Sequence, residues 1–99
     1  MENIPPGART LALPPILDLT AASTLLENFL TLRGRPLSLN AADVQRLGGQ
    51  CLQVLLAARA AWAADEQDLH LGDCSEDFLA ALGLLGVAPK TLTYCKELP

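Results

Sequence analysis

Cys51, His70 and the pair Gly48-Gly49 are the positions in this chain whose residue types invite chemistry. A thiol at the start of a helix can ionise early and act as a nucleophile, because the helix dipole favours its anion. An imidazole carries protons near neutral pH. Two glycines ahead of a helix can bring main-chain N–H groups against a phosphate. Each role needs company, and the sequence supplies little. His70 is the only histidine, so any mechanism that uses histidine must use it, and it belongs to no recognisable metal-ligand spacing. A structural or surface role is expected for it. Gly48-Gly49 lacks both the Lys-Ser/Thr of a phosphate loop and the G-x-G-x-x-G pattern. Cys51 falls on the apolar side of its segment, where a buried structural thiol is the expectation. Asp18, Asn40 and Asp43 end or follow extended segments and suit turn and cap roles. No catalytic, cofactor-binding or metal-binding residue is therefore expected.

The elements that must hold these residues follow from the period of the apolar positions. Residues 37–40 alternate as a short strand, residues 40–43 are a polar turn, and 44–47 read as a further extended piece. Residues 49–63 are rich in Ala and Leu and predict a helix that starts at the glycines. At about 100° per residue, Cys51, Leu55, Ala58 and Trp62 share its inward face, flanked by Val54. The opposite face presents Gln53, Leu56, Ala57 and Ala60. A solvated helix face usually carries Lys and Glu, yet only Arg59 lies near this one, at its flank. Small residues at these positions fit two readings: they favour helix, or they let a partner approach closely.

Before this segment, residues 1–8 are expected as a loose tail around Pro5-Pro6-Gly7. Residues 10–13 predict an edge strand, interrupted by Pro14-Pro15, and 16–19 resume an extended segment. Thr20 is placed to cap a helix running to about Arg33, with Ala22, Leu25, Leu26, Phe29 and Leu32 as its buried stripe. Gly34 then closes the last turn. After the central helix, Asp65, Glu66 and Asp68 form an acidic turn, and 69–71 predict a strand with His70 opposite its leucines. Residues 72–74 read as a turn. Ser75 caps a third helix, with Glu76 and Asp77 in its first turn, Phe78, Leu79, Leu82 and Leu85 as its apolar face, and Gly86 as its stop. Residues 91–94 alternate like a last short strand or extended tail, and 96–99 read as a frayed end. The summed pattern is β-α-β-α-β-α, an α/β (α+β) fold with a small mixed sheet and three helices packed on it, in one domain over 9–95.

Composition narrows the function classes. The 99 residues carry 11 Asp and Glu against 7 Lys and Arg, a net charge of -4, which argues against nucleic acid. Cys51, Cys74 and Cys95 are odd in number, far apart and in no C-x-x-C pair, as expected in a reducing compartment. The stretch MENIPPGART has no apolar core of a signal peptide, and no apolar run reaches the roughly 18 residues that would cross a bilayer. Cytoplasmic placement without membrane insertion is expected.

The order of elements resembles the STAS domain, the fold of bacterial anti-sigma-factor antagonists, over residues 11–87. Leu37-Ser38-Leu39-Asn40 stands where the family has a strand. Leu47-Gly48-Gly49-Gln50-Cys51-Leu52 stands where the family has a segment like I-D-S-S-G-L, and Ser75 through Leu85-Gly86-Val87 is similar to its last helix. The departures carry meaning. Gly48 replaces the Asp, Gly49 occupies the serine that accepts phosphate in regulated members, and Gln50 replaces the second serine. Glycine has no hydroxyl, so a phosphoserine switch cannot operate at Gly49. The resemblance implies a non-enzymatic regulatory domain that binds another protein through Gly48, Gly49, Gln50, Gln53, Leu56, Ala57 and Ala60. The segment 44–62 further resembles small stand-alone STAS proteins of chemotaxis operons, which implies a chemotaxis histidine kinase or a similar regulator as partner, with a homodimer as a further arrangement. A second group of small STAS proteins are cytoplasmic subunits of lipid-transporting ABC systems. That group commonly keeps a hydroxyl residue in this loop, where this chain has none.

Overall fold

Two β-α-β crossovers generate the fold. The computed structural model describes residues 8–96. The described chain runs β1 (Arg9–Ala12), β2 (Ile16–Leu17), α1 (Ala22–Leu32), β3 (Leu37–Ala41), β4 (Arg46–Leu47), α2 (Gly49–Ala64), β5 (Leu69–Cys74) and α3 (Glu76–Leu84). Single 3-10 turns precede α1 (Leu19–Ala21) and follow α3 (Pro89–Leu92). The architecture is a small parallel sheet with three helices, a mixed α/β arrangement as the alternation of strand and helix periods predicts. Parallel neighbours cannot be joined by a tight hairpin, so a helix carries the chain back after β1 and again after β3.

The main sheet has the order β1-β3-β5, with Leu37 between Arg9 and Leu69, and Leu39 between Leu11 and Leu71. β3 is central and is the most buried strand. Even Ser38, on the other face in register with Thr10 and His70, is only 2% exposed. Pro14-Pro15 splits the edge run, as expected, and β2 resumes beside β4 as a second parallel pair. The break is bridged by main chain: Leu13 N–H donates to Asn40 O, and Pro15 O accepts from both Gln45 and Arg46 N–H. The proposed polar turn is present, with Asn40 Oδ1 accepting from Ala42 N–H at 2.9 Å.

Leu17, Leu25, Phe29, Leu37, Leu39, Leu55, Trp62, Phe78 and Leu82 belong to one buried cluster. The inward face predicted for α2 is buried as expected, at Cys51, Leu55, Ala58 and Trp62, and Leu52 joins it. Phe29 of α1 meets Trp62 of α2 edge to face at 5.9 Å, which fixes the contact between the two helices. Gly34 lies at φ +91 just beyond α1, and Gly86 at φ +77 beyond α3, both in the left-handed region that closes a helix cheaply only with glycine.

Several expectations are corrected. Asp18, not Thr20, is the cap: its carboxylate accepts from the N–H groups of Thr20 and Ala21 and starts a 3-10 turn ahead of α1. Leu26 is 44% exposed, because only Leu25 and Phe29 of α1 are fully covered by the core. Leu79 of α3 and Leu85 just past its end are likewise exposed, and Phe78 and Leu82 alone are buried in that helix. Residues 72–74 continue β5 instead of turning. A bulge between Leu39 and Ala41 lets Cys74 pair with Ala41, and this pairing overrides the weak strand propensity of Gly72 and Asp73. Residues 91–94 are not a strand either. Pro89 opens a 3-10 turn that buries Leu92, and only Tyr94 pairs, antiparallel, with Leu69. The tails proposed for 1–8 and 96–99 lie mostly outside the described residues.

Candidate functional site

The loop at the start of α2 is held from its own backbone. Gly48 N–H donates to Leu17 O at 2.8 Å, and Gly48 O accepts the first intrahelical bond from Leu52 at 3.1 Å. Gly48 has an ordinary extended conformation (φ -94, ψ 167) and gives the helix no side-chain cap. Neither glycine of the pair lies at positive φ, so the turn itself does not demand glycine. A Cβ on Gly49 would meet open space, and one on Gly48 only an ordinary contact with Leu17 O.

Charge at this end opposes an incoming anion. The Thr20 hydroxyl donates to Asp18 Oδ1 at 2.7 Å, and this bond above all, with the main-chain bonds from Ala21 and Thr20, holds the Asp18 carboxyl below its usual range despite partial desolvation. Asp18 is therefore anionic at neutral pH. Its main-chain oxygen accepts from Cys51 Sγ at 3.2 Å. Burial pushes the Cys51 thiol up, and the Asp18 charge pushes it further. A thiol held protonated in the core is a poor nucleophile, and a carboxylate close enough to act on it also repels phosphate from the first turn of α2.

His70 sits half-buried on β5, in register with Ser38. Cys74 is half-buried and Cys95 exposed. Among the described residues no three His, Cys, Asp or Glu side chains are grouped to hold a metal ion, and no helix is long and apolar enough to cross a membrane. The acidic residues that follow α2 serve local structure: Asp65 pairs with Arg33 at 2.9 Å, and Asp68 Oδ1 accepts from Lys96 N–H.

The seven residues expected to bind a partner lie on α2 and on Gly48, the residue that precedes it. Gly49, Gln50, Gln53, Ala57 and Ala60 are exposed, while Gly48 and Leu56 are half-buried. Spacings of three and four place Gln53, Leu56, Ala57 and Ala60 on one uncharged strip of α2. The strip is a low ridge between two grooves. On one side a groove of ≈ 180 Å³ runs between α1 and α2, lined by Leu26, Leu30, Ala57 and Ala61 above Phe29 and Trp62. On the other a broader groove of ≈ 1060 Å³ lies between α2 and the C-terminal segment, lined by Leu56, Ala60, Arg59, Lys90, Tyr94 and Lys96. Gly48, Gly49 and Gln50 line neither groove; they sit at the helix end.

Sequence reasoning missed the walls of both grooves. An apolar stripe on α1 wider than its core contact, with Leu26 and Leu30 both exposed, was the available signal for the first. Lys90 and Lys96 had no local signal, because they reach α2 through the pairing of Tyr94 with Leu69. The chain was compared with protein-family models, with curated proteins and with solved structures, and none matches.

Proposed function

We propose that this chain is a non-enzymatic protein-binding domain whose contact face is the outward strip of α2. The observation that carries this reading is an uncharged helix strip of exposed Gln53, Ala57 and Ala60 with half-buried Leu56, flanked by a groove on each side. Small uncharged residues let a partner backbone come close, and they cost little to desolvate. The protonated, buried Cys51 supports a role without covalent chemistry. The resemblance to STAS domains adds a setting: a regulatory adaptor in the bacterial cytoplasm, lacking the phosphorylatable serine, with a chemotaxis histidine kinase or similar regulator as partner.

Affinity capture from the source organism, followed by identification of what is bound, tests the setting. Recovery of a signalling kinase supports it. Recovery of transporter ATPase and permease subunits without a kinase replaces it with the ABC-subunit role. The face is tested with Leu56→Asp and Ala60→Arg. Both are expected to abolish binding of the captured partner with an unchanged circular-dichroism spectrum. Because Leu56 also packs partly on the core, the fully outward Ala60→Arg decides, and retained binding by it rejects the face.

A further inference from the structure

The larger groove beside α2 has a charge opposite to that of the chain as a whole. Three of the seven basic residues line it, Arg59, Lys90 and Lys96, and among the described residues no Asp or Glu does. The one ion pair among the described residues is Arg33 with Asp65, so no described carboxylate forms an ion pair with these three cations. Arg59 is held in place: its Nε donates to Thr93 O at 3.2 Å, and its guanidinium lies over the Tyr94 ring at 5.8 Å from the centroid. One of its five N–H groups is thus used, leaving donors for an acceptor in the groove. Beneath the cations, Leu56, Ala60 and Tyr94 make an apolar floor.

We infer that this groove seats an acidic, apolar-containing segment of a partner protein, with carboxylates against Arg59, Lys90 and Lys96 and apolar side chains against Leu56, Ala60 and Tyr94. The inference rests on the protein-binding reading and specifies the chemistry of the partner. Charge complementarity selects this occupant. A polyanion such as nucleic acid would extend past three cations onto a chain of net charge -4 and be repelled. A short segment with carboxylates spaced among apolar residues meets both rim and floor. The acidic surface elsewhere disfavours the same segment in any other place, which confers specificity as well as attraction.

The test uses a short fluorescent peptide in which glutamates flank a pair of leucines, titrated with the intact chain and read by anisotropy. Its glutamine counterpart, a duplex oligonucleotide and the sedimentation behaviour of the chain alone are measured beside it. The glutamate peptide is expected to bind, weakening as salt is added, and the glutamine peptide to bind about tenfold more weakly. Lys90→Glu with Lys96→Glu is expected to lower affinity for the glutamate peptide about tenfold, and Arg46→Glu, at an exposed position away from the groove, to leave it unchanged. Equal binding of the two peptides, no binding of either, no effect of the lysine reversals, or tighter binding of the oligonucleotide each overturns the inference. So does a dimer that the lysine reversals dissociate, since a second copy then fills the groove. If the captured partner tolerates both lysine reversals but is lost with Ala60→Arg, the acidic segment is rejected and the protein-binding reading stands. If it tolerates all three, both fall.

Discussion

The indole N–H of Trp62 donates to the main-chain oxygen of Arg35 at 2.8 Å, tying the last turn of α2 to the connection between α1 and β3. The same side chain is fully buried and takes the edge-to-face contact with Phe29. One residue therefore joins both crossovers. Trp62→Phe keeps an aromatic ring but loses the hydrogen bond and some volume, and is expected to cost about 1.5–3 kcal/mol in urea unfolding. Trp62→Ala should cost about 3–5 kcal/mol. Wild-type stability in Trp62→Phe would show that the bond to Arg35 contributes nothing.

Ser75 has a double role at the start of α3. Its hydroxyl accepts from Phe78 N–H at 3.0 Å and donates to Val44 O. Ser75→Ala loses both bonds and is expected to lower stability by about 1–2 kcal/mol. Ser75→Asp can still cap but cannot donate while ionised, so it should recover only part of the loss. Full recovery, measured by chemical denaturation, would remove the Val44 bond from the account.

Two glycines should respond in opposite directions to alanine. Gly34 is at φ +91, so Gly34→Ala is expected to destabilise by about 1 kcal/mol or more. Gly49 begins α2 at no positive φ, with open space where a Cβ would go, so Gly49→Ala should stabilise by about 0.4–1 kcal/mol. Thermal melts of the two variants read the difference directly.

The raised Cys51 thiol makes stability depend on pH at the alkaline end. In the unfolded chain the thiol ionises near its ordinary value of 9.0, and in the folded chain it does so only at higher pH. The folded state thus holds the proton longer, and stability that is complete below about pH 9 is lost as pH rises above it. Cys51→Ala should flatten that part of the profile. A disulfide reagent at pH 8 should modify exposed Cys95 quickly and Cys51 only on the time scale of unfolding. Rapid modification of native Cys51 would contradict its placement.

Local signals were enough for much of this architecture. The period of α2 located its buried face at Cys51, Leu55, Ala58 and Trp62 and missed only Leu52 beside them, and the Ser75 cap and the stops at Gly34 and Gly86 were legible because capping chemistry is short-range. What escaped depends on partners distant in sequence. Gly72 and Asp73 extend β5 because Cys74 finds Ala41 across a bulge. Thr91 does not become strand because Leu92 is drawn into the core by the turn that Pro89 opens. Leu26, Leu79 and Leu85 looked inward by period, but a helix that packs on one narrow side covers fewer positions than its apolar stripe contains. The outward strip of α2 was visible by the same period; the cationic wall beside it was not, since Arg59 and Lys90 become neighbours only through the folded C-terminal segment.

The proline pair after β1 has an effect beyond interrupting a strand. Arg9 and Leu13 turn their N–H groups inward to β3 and its approach, and by alternation the outward donors of this border belong to Thr10 and Ala12, after which Pro14 and Pro15 supply none. At the opposite border, Tyr94 already occupies the main chain of Leu69. An added strand would thus meet a ladder cut short by prolines on one flank and one whose first rung is taken by Tyr94 on the other, so neither border offers a full-length template for growth of the sheet.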